Sequence, residues 1–282
     1  YVYRFKPGES AWIEEQRLVA LDAEAQDEFG SSVAINPIDP NVLVVGAWAD
    51  DDACPKNVWC QSGSAYVFRY DPGSESWVQE QKLTASDATE YDYFGWAVSI
   101  WGDVAMIGAK LDDDPDQDTG SVYVFRYDPV TQTWQEEEKL IPSDRGRFGT
   151  SVSLQGDVAL IGASVDSEQA FQGGAAYIFR YDPKTKLWVE EQKLLLSDPG
   201  RGDNFGASVS LNGDFALIGA PGRTVNGLGG AGAAYVFAFN GGQWVEQQQL
   251  TASTPGLSIV EGKVEGLLVT PRGGAGRVVS VP

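Results

Sequence analysis

Asp112, Asp114, Asp116 and Asp118 stand at every second position of KLDDDPDQDTG. Closely spaced carboxylates in an acidic loop are what a hard cation uses, and calcium takes about six to eight oxygens. These four aspartates are therefore the candidate metal ligands and calcium the candidate cofactor, with a solvated acidic loop as the alternative. WADDDACPKN is a weaker run of the same kind. Four tryptophans, Trp48, Trp59, Trp96 and Trp101, lie in the same part of the chain. Aromatic faces beside acidic loops suit stacking on a sugar or contact with a protein, and plain packing is the competing role. Cys54 and Cys60, the only cysteines, share one Pro-containing acidic stretch. A local disulfide and an oxidising compartment are the expectation, against two free thiols.

Much other chemistry is excluded. Histidine is absent, which removes Ser-His-Asp and Cys-His machinery and the commonest zinc ligand. A net charge of −20, from 40 acidic and 20 basic residues, repels phosphate backbones and anionic lipid, so neither nucleic acid nor membrane insertion is expected. No apolar run approaches the roughly 20 residues that span a bilayer. Paired carboxylates such as Glu136 and Glu138 recur with a repeat, and no acid–base pair stands apart from it, so the expectation is no enzyme. Asp27, Asp92 and Asp203 each stand two positions before an FG pair and are read as acceptors for turn amides. The RGD at 201–203 falls in that same turn and is read as chance.

The repeat explains how these residues are positioned. FGTSVSLQGDVALIGA at 148–163 returns as FGASVSLNGDFALIGA at 205–220, with further copies opening at Phe94 and Phe29. In each unit an alternating strand leads through a turn, Gly-Asp in three of the four, into a strand apolar on both faces, which requires cover on both sides. AAYIFRYD and WVEEQKL supply a third and fourth strand, the last charged as an edge strand should be. Tandem units of this kind fit an all-β propeller of four-stranded antiparallel blades better than a sandwich.

The order FG-x-x-V, a strand ending in GA, then G-x-x-Y-[VI]-F resembles the FG-GAP repeats of integrin α-subunit propellers. It is closer still to the variety found in bacterial and algal extracellular proteins, and it covers roughly residues 1 to 250. By that resemblance calcium would sit between the first two strands, yet this connection has shrunk here to WGD, QGD and NGD. Blades are expected at 29–83, 94–140, 148–194 and 205–250, with a fifth closed by pairing 1–18 with 257–282. Part of a seven-bladed ring is the alternative. The expected function is a non-catalytic propeller, secreted or at the cell surface, that meets protein or glycan in adhesion or assembly. A lectin is the alternative, and an accessory propeller of a secreted enzyme the third. Tyr1 begins mid-repeat, as a processed chain would.

Overall fold

The computed structural model describes residues 1–52, 60–113 and 119–252, in which every helix or strand assigned is a strand. A hairpin of β1 (Val2–Lys6) and β2 (Ala11–Gln16) comes first. The first blade holds β3 (Ser32–Ile35), β4 (Val42–Ala47), β5 (Ser64–Asp71) and β6 (Ser76–Leu83). The second holds β7 (Phe94–Trp101), β8 (Val104–Ala109), β9 (Ser121–Asp128) and β10 (Thr133–Leu140). The third holds β11 (Phe148–Gln155), β12 (Val158–Ala163), β13 (Ala175–Asp182) and β14 (Leu187–Leu194). The fourth holds β15 (Ser208–Asn212), β16 (Phe215–Ala220), β17 (Ala233–Phe239) and β18 (Trp244–Leu250). Each is an antiparallel meander in chain order, and β1–β2 matches the third and fourth strands of a fifth blade. The fold is the expected β-propeller. The pairing of 1–18 with 257–282 falls outside the described residues.

First strands of successive blades run against one another, whereas fourth strands barely meet, so the blades splay outward from an inner edge. The small face of the first strand makes this approach possible. Ser99 Oγ accepts from Leu154 N and Ser153 Oγ from Leu211 N, each at 3.0 Å. Ser32 and Ser151 donate to the carbonyls of Gly95 and Gly206, each at 2.8 Å. The glycine of one blade's GA meets the glycine of the next blade's FG: a Cβ on Gly108 would collide with the Gly149 carbonyl. Backbone-to-backbone packing of this kind is what the FG and GA pairs are for. Second strands β4 and β8 are buried throughout. β16 has no following blade among the described residues and leaves Phe215 exposed.

The fourth strand does more than protect an edge. A bulge at Glu80, Glu137 and Glu191 turns each toward an arginine on the third strand, giving Arg69–Glu80, Arg126–Glu137 and Arg180–Glu191 at 3.1, 3.0 and 2.6 Å. The next residue staples blades together. Gln81 accepts from Trp134 N at 2.7 Å and donates to Trp134 O at 2.8 Å, and Gln192 does the same for Trp244 at 2.8 Å each. Glu138 fills this position in the second blade and only accepts, from Trp188 N at 2.9 Å.

Candidate active site

Three positions of the repeat meet at the end of the blades that carries FG and GA. After GA stand Trp48, Lys110, Ser164 and Pro221; before FG stand Glu28, Tyr93, Arg147 and Asn204; after FG stand Ser31, Trp96, Thr150 and Ala207. The residues before FG all adopt positive φ, at 57°, 61°, 57° and 54°, a conformation that costs a side chain of order 1 kcal/mol or more and fixes its direction.

That turn aims Tyr93 and Asn204 at the preceding blade. Tyr93 packs edge-on against Trp48, with ring centroids 4.7 Å apart, and Asn204 Nδ2 donates to the Ser164 carbonyl at 3.1 Å. By the same geometry Arg147 comes to Lys110, close enough for their charges to repel. Within a blade, the residue after FG meets the residue after GA: Ser164 Oγ donates to Thr150 Oγ1 at 3.4 Å, and Lys110 Nζ lies 2.7 Å from the Trp96 ring centroid. Trp96 also packs at 5.4 Å from Trp48 and stacks on Tyr93 at 6.2 Å. The result is a half-buried patch of three aromatic rings, an amine and a guanidinium over the first three blades.

The charges here break a rule that every other half-buried lysine and arginine among the described residues keeps. Lys82 is held by Asp22 and Asp50 at 2.8 and 2.9 Å and by Asp52; Lys139 by Asp87 and Asp112 at 2.7 and 3.1 Å; Lys193 by Asp144, Asp166 and Glu168 at 2.9, 2.8 and 2.6 Å. The fourth blade inverts the arrangement. Arg223 replaces the aspartate after GA, Gln249 replaces the lysine, and Arg223 takes Asp203 and Asp198 at 2.7 and 2.5 Å. Neither Lys110 nor Arg147 has a carboxylate partner among the described residues. Burial, aided by Arg147, pushes the Lys110 amine down to about 8. Roughly a tenth of it is then neutral at pH 7.

The residues singled out from the sequence do not form one site. Asp112 is buried, accepting from Tyr123 OH at 2.5 Å beside Lys139, the same Tyr–Asp–Lys cluster that Asp50 and Asp166 make. Asp114, Asp116, Asp118, Trp59 and Cys54 lie outside the described residues, and Cys60 is buried. Asp22, Asp50 and Asp52 place carboxylate oxygens within 4.8 Å of one another and could hold a cation, but the Lys82 ammonium lies among them. The connection where the integrin-type repeat holds calcium does not fit that ion: it offers Asp39, Asp103 and Asp157, each engaged by an arginine at 3.3, 3.2 and 3.6 Å.

Trp48 and Trp96 come together, whereas Trp101 stands at the far end of β7. There it lines a cleft of about 390 Å³ with Ile38, Arg126 and Tyr181. Asp27, Asp92 and Asp203 accept from the amides of Glu24, Thr89 and Gly200, each at 2.6 Å. Asp203 is buried, so RGD is not displayed as a unit. Lys110, Arg147 and Tyr93 went unrecognised as site residues. They lie in columns of the repeat where no two of the four blades carry the same residue.

The fold and this break in its symmetry define an FG-GAP-type propeller. The FG-GAP repeat pattern matches residues 12–68, 77–125, 134–179 and 188–237, and the chain belongs to the FG-GAP repeat family. No curated protein matches it in sequence. Among solved structures it is similar to a periplasmic gluconolactonase from Pseudomonas aeruginosa, at 17% identity and a TM-score of 0.56, covering 91% of this chain and 65% of that one. It is also similar to a Bacteroides uniformis protein described as a 6-phosphogluconolactonase, at 11% identity and a TM-score of 0.58, covering 89% and 63%. The chain thus spans less than two thirds of either. Among the described residues no helix is long and apolar enough to cross a membrane.

The expectation of a non-catalytic propeller, with its lectin and accessory alternatives, is corrected here. These two solved chains, which share the fold, carry enzyme names. The expectation also rested on there being no acid–base pair apart from the repeat, whereas Lys110 and Arg147 are not shared by the other blades.

Proposed function

We propose that the protein is a hydrolase acting outside the cytoplasm that opens a sugar lactone, with Lys110 as general base. The observation that carries this reading is Lys110 itself: half-buried, without a carboxylate partner among the described residues, set over the Trp96 ring and within reach of the charge of Arg147. An amine whose pKa lies near the working pH is suited to accept a proton in the rate-limiting step. The names of the two structural neighbours support a lactone as the substrate class. The Cys54–Cys60 pairing read from the sequence and the periplasmic setting of one neighbour support the location.

The sugar ring rests its C–H face on the indoles of Trp48 and Trp96. Water attacks the lactone carbonyl carbon as its proton passes to Lys110 Nζ. The tetrahedral intermediate collapses, the ring C–O bond breaks, and the departing alkoxide recovers the proton from Lys110. The product is the open hydroxy acid, which ionises in solution. The test is acid release from gluconolactone by the wild type and by Lys110→Met. Loss of at least about a hundredfold in kcat is expected; equal turnover by the two, or none by the wild type, would overturn the reading.

A further inference from the structure

We infer that the lactone carries a fixed oxyanion outside its ring, a carboxylate or phosphate ester, and that Arg147 binds it. This names the substrate class of the site proposed above and rests on that reading. In a chain with twice as many acidic as basic residues, Lys110 and Arg147 are the half-buried cations that have no carboxylate partner among the described residues. Their mutual repulsion is a cost that the free protein bears and that a bound anion removes, so the pair favours anionic ligands over neutral ones.

The local sequence lacks one acid that the other blades carry. The connection before the third blade, SDRGRFG, is three residues shorter than SDATEYDYFG in the second. Gly146 stands where the other blades have Asp27, Asp92 and Asp203. A Cβ there would lie 2.8 Å from Asp166 Cα, so the close packing of this turn leaves no room for the missing aspartate. Arg147 is held on a rigid base: Thr150 donates to its carbonyl from both N, at 3.3 Å, and Oγ1, at 2.6 Å. From this fixed backbone a guanidinium can meet an oxyanion through two parallel N–H donors, as a lysine cannot. Lys110 then remains for the carbonyl at the other end of the ligand.

The experiment compares kcat/KM for three lactones: gluconolactone, which is neutral; glucarolactone, which keeps a free carboxylate; and 6-phosphogluconolactone. The wild type is expected to prefer a charged lactone by about tenfold or more, as one charge-assisted hydrogen bond allows. The two charged substrates separate carboxylate from phosphate. Arg147→Gln should abolish the preference and Arg147→Lys restore part of it. No preference in the wild type, or full preference in folded Arg147→Gln, would overturn the inference.

If no lactone is turned over, the hydrolase reading fails but the anion site is still decided by equilibrium binding. Tryptophan fluorescence titrated with gluconate, 6-phosphogluconate and neutral sorbitol reads it directly. Selective binding of an acid, weakened about tenfold in Arg147→Gln, would support the inference; absence of selective binding would refute it.

Discussion

At the scale of single residues, protons separate groups built for structure from the one proposed for chemistry. Burial, together with the charge of Asp112, pushes Asp92 up to about 6 despite its hydrogen bonds from Thr89. A carboxyl raised on folding contributes stability that is fully present below its unfolded pKa, near 4, and lost as pH rises through 6. The stability of the wild type relative to Asp92→Asn should therefore fall by about 2 kcal/mol between pH 4 and pH 7. Urea titrations at the two pH values check this; an unchanged difference would mean that Asp92 is not raised. Glu138 is also raised, chiefly by burial and further by Glu137, against its hydrogen bond from Trp188 N. Glu138→Gln gives this position the donor that Gln81 and Gln192 supply and removes a buried charge. It should stabilise the protein by about 1 kcal/mol at neutral pH, with the gain shrinking as acid protonates the wild-type carboxyl.

At the scale of elements, the propeller is held by glycine contacts and amide staples between blades. Gly108→Ala places a methyl on the Gly149 carbonyl, where only a shift of the two blades can make room. A loss of about 3 kcal/mol or more in unfolding free energy is expected, against a fraction of that for the exposed Gly156→Ala strained only by its φ of 61°. The strands themselves were legible in the sequence, because period-two alternation, the Gly-Asp turns and the doubly apolar second strand are each local signals. The role of the fourth strand was not. Its charges look like edge protection until the bulge is seen, because a bulge moves Glu137 and Glu138 onto different partners without altering the composition. Likewise Asp112 stands in an acidic run, but only the pairing of β9 with β10 shows that Tyr123 and Lys139 claim it.

At the scale of the whole molecule, four-fold repetition both reveals the fold and hides the site. Lys110 and Arg147 are 37 positions apart, and only the inter-blade geometry that also joins Tyr93 to Trp48 brings them together. Charge acts over the same scale. A net −20 surrounds Lys110 and Arg147, so an anionic substrate approaches against the long-range field and is attracted only nearby. Salt screens the distant repulsion beyond about 10 Å at 0.1 M. Accordingly, kcat/KM for a charged lactone should rise from low salt to about 0.15 M, while that for gluconolactone stays flat. A fall for the charged substrate would show that local attraction governs capture. Trp12 is 68% exposed, whereas the equivalent Trp77, buried under the preceding hairpin's Gln16 staple, is at 5%. The most direct test of the proposed chemistry is the pH dependence of kcat/KM for gluconolactone, corrected for spontaneous opening. Among the described residues, Arg147 and Tyr93 are the titratable groups that face Lys110. If its neutral amine is the base, activity climbs with a single limb near pH 8 that moves upward in Arg147→Gln; a flat profile, or one unchanged in that variant, contradicts the account.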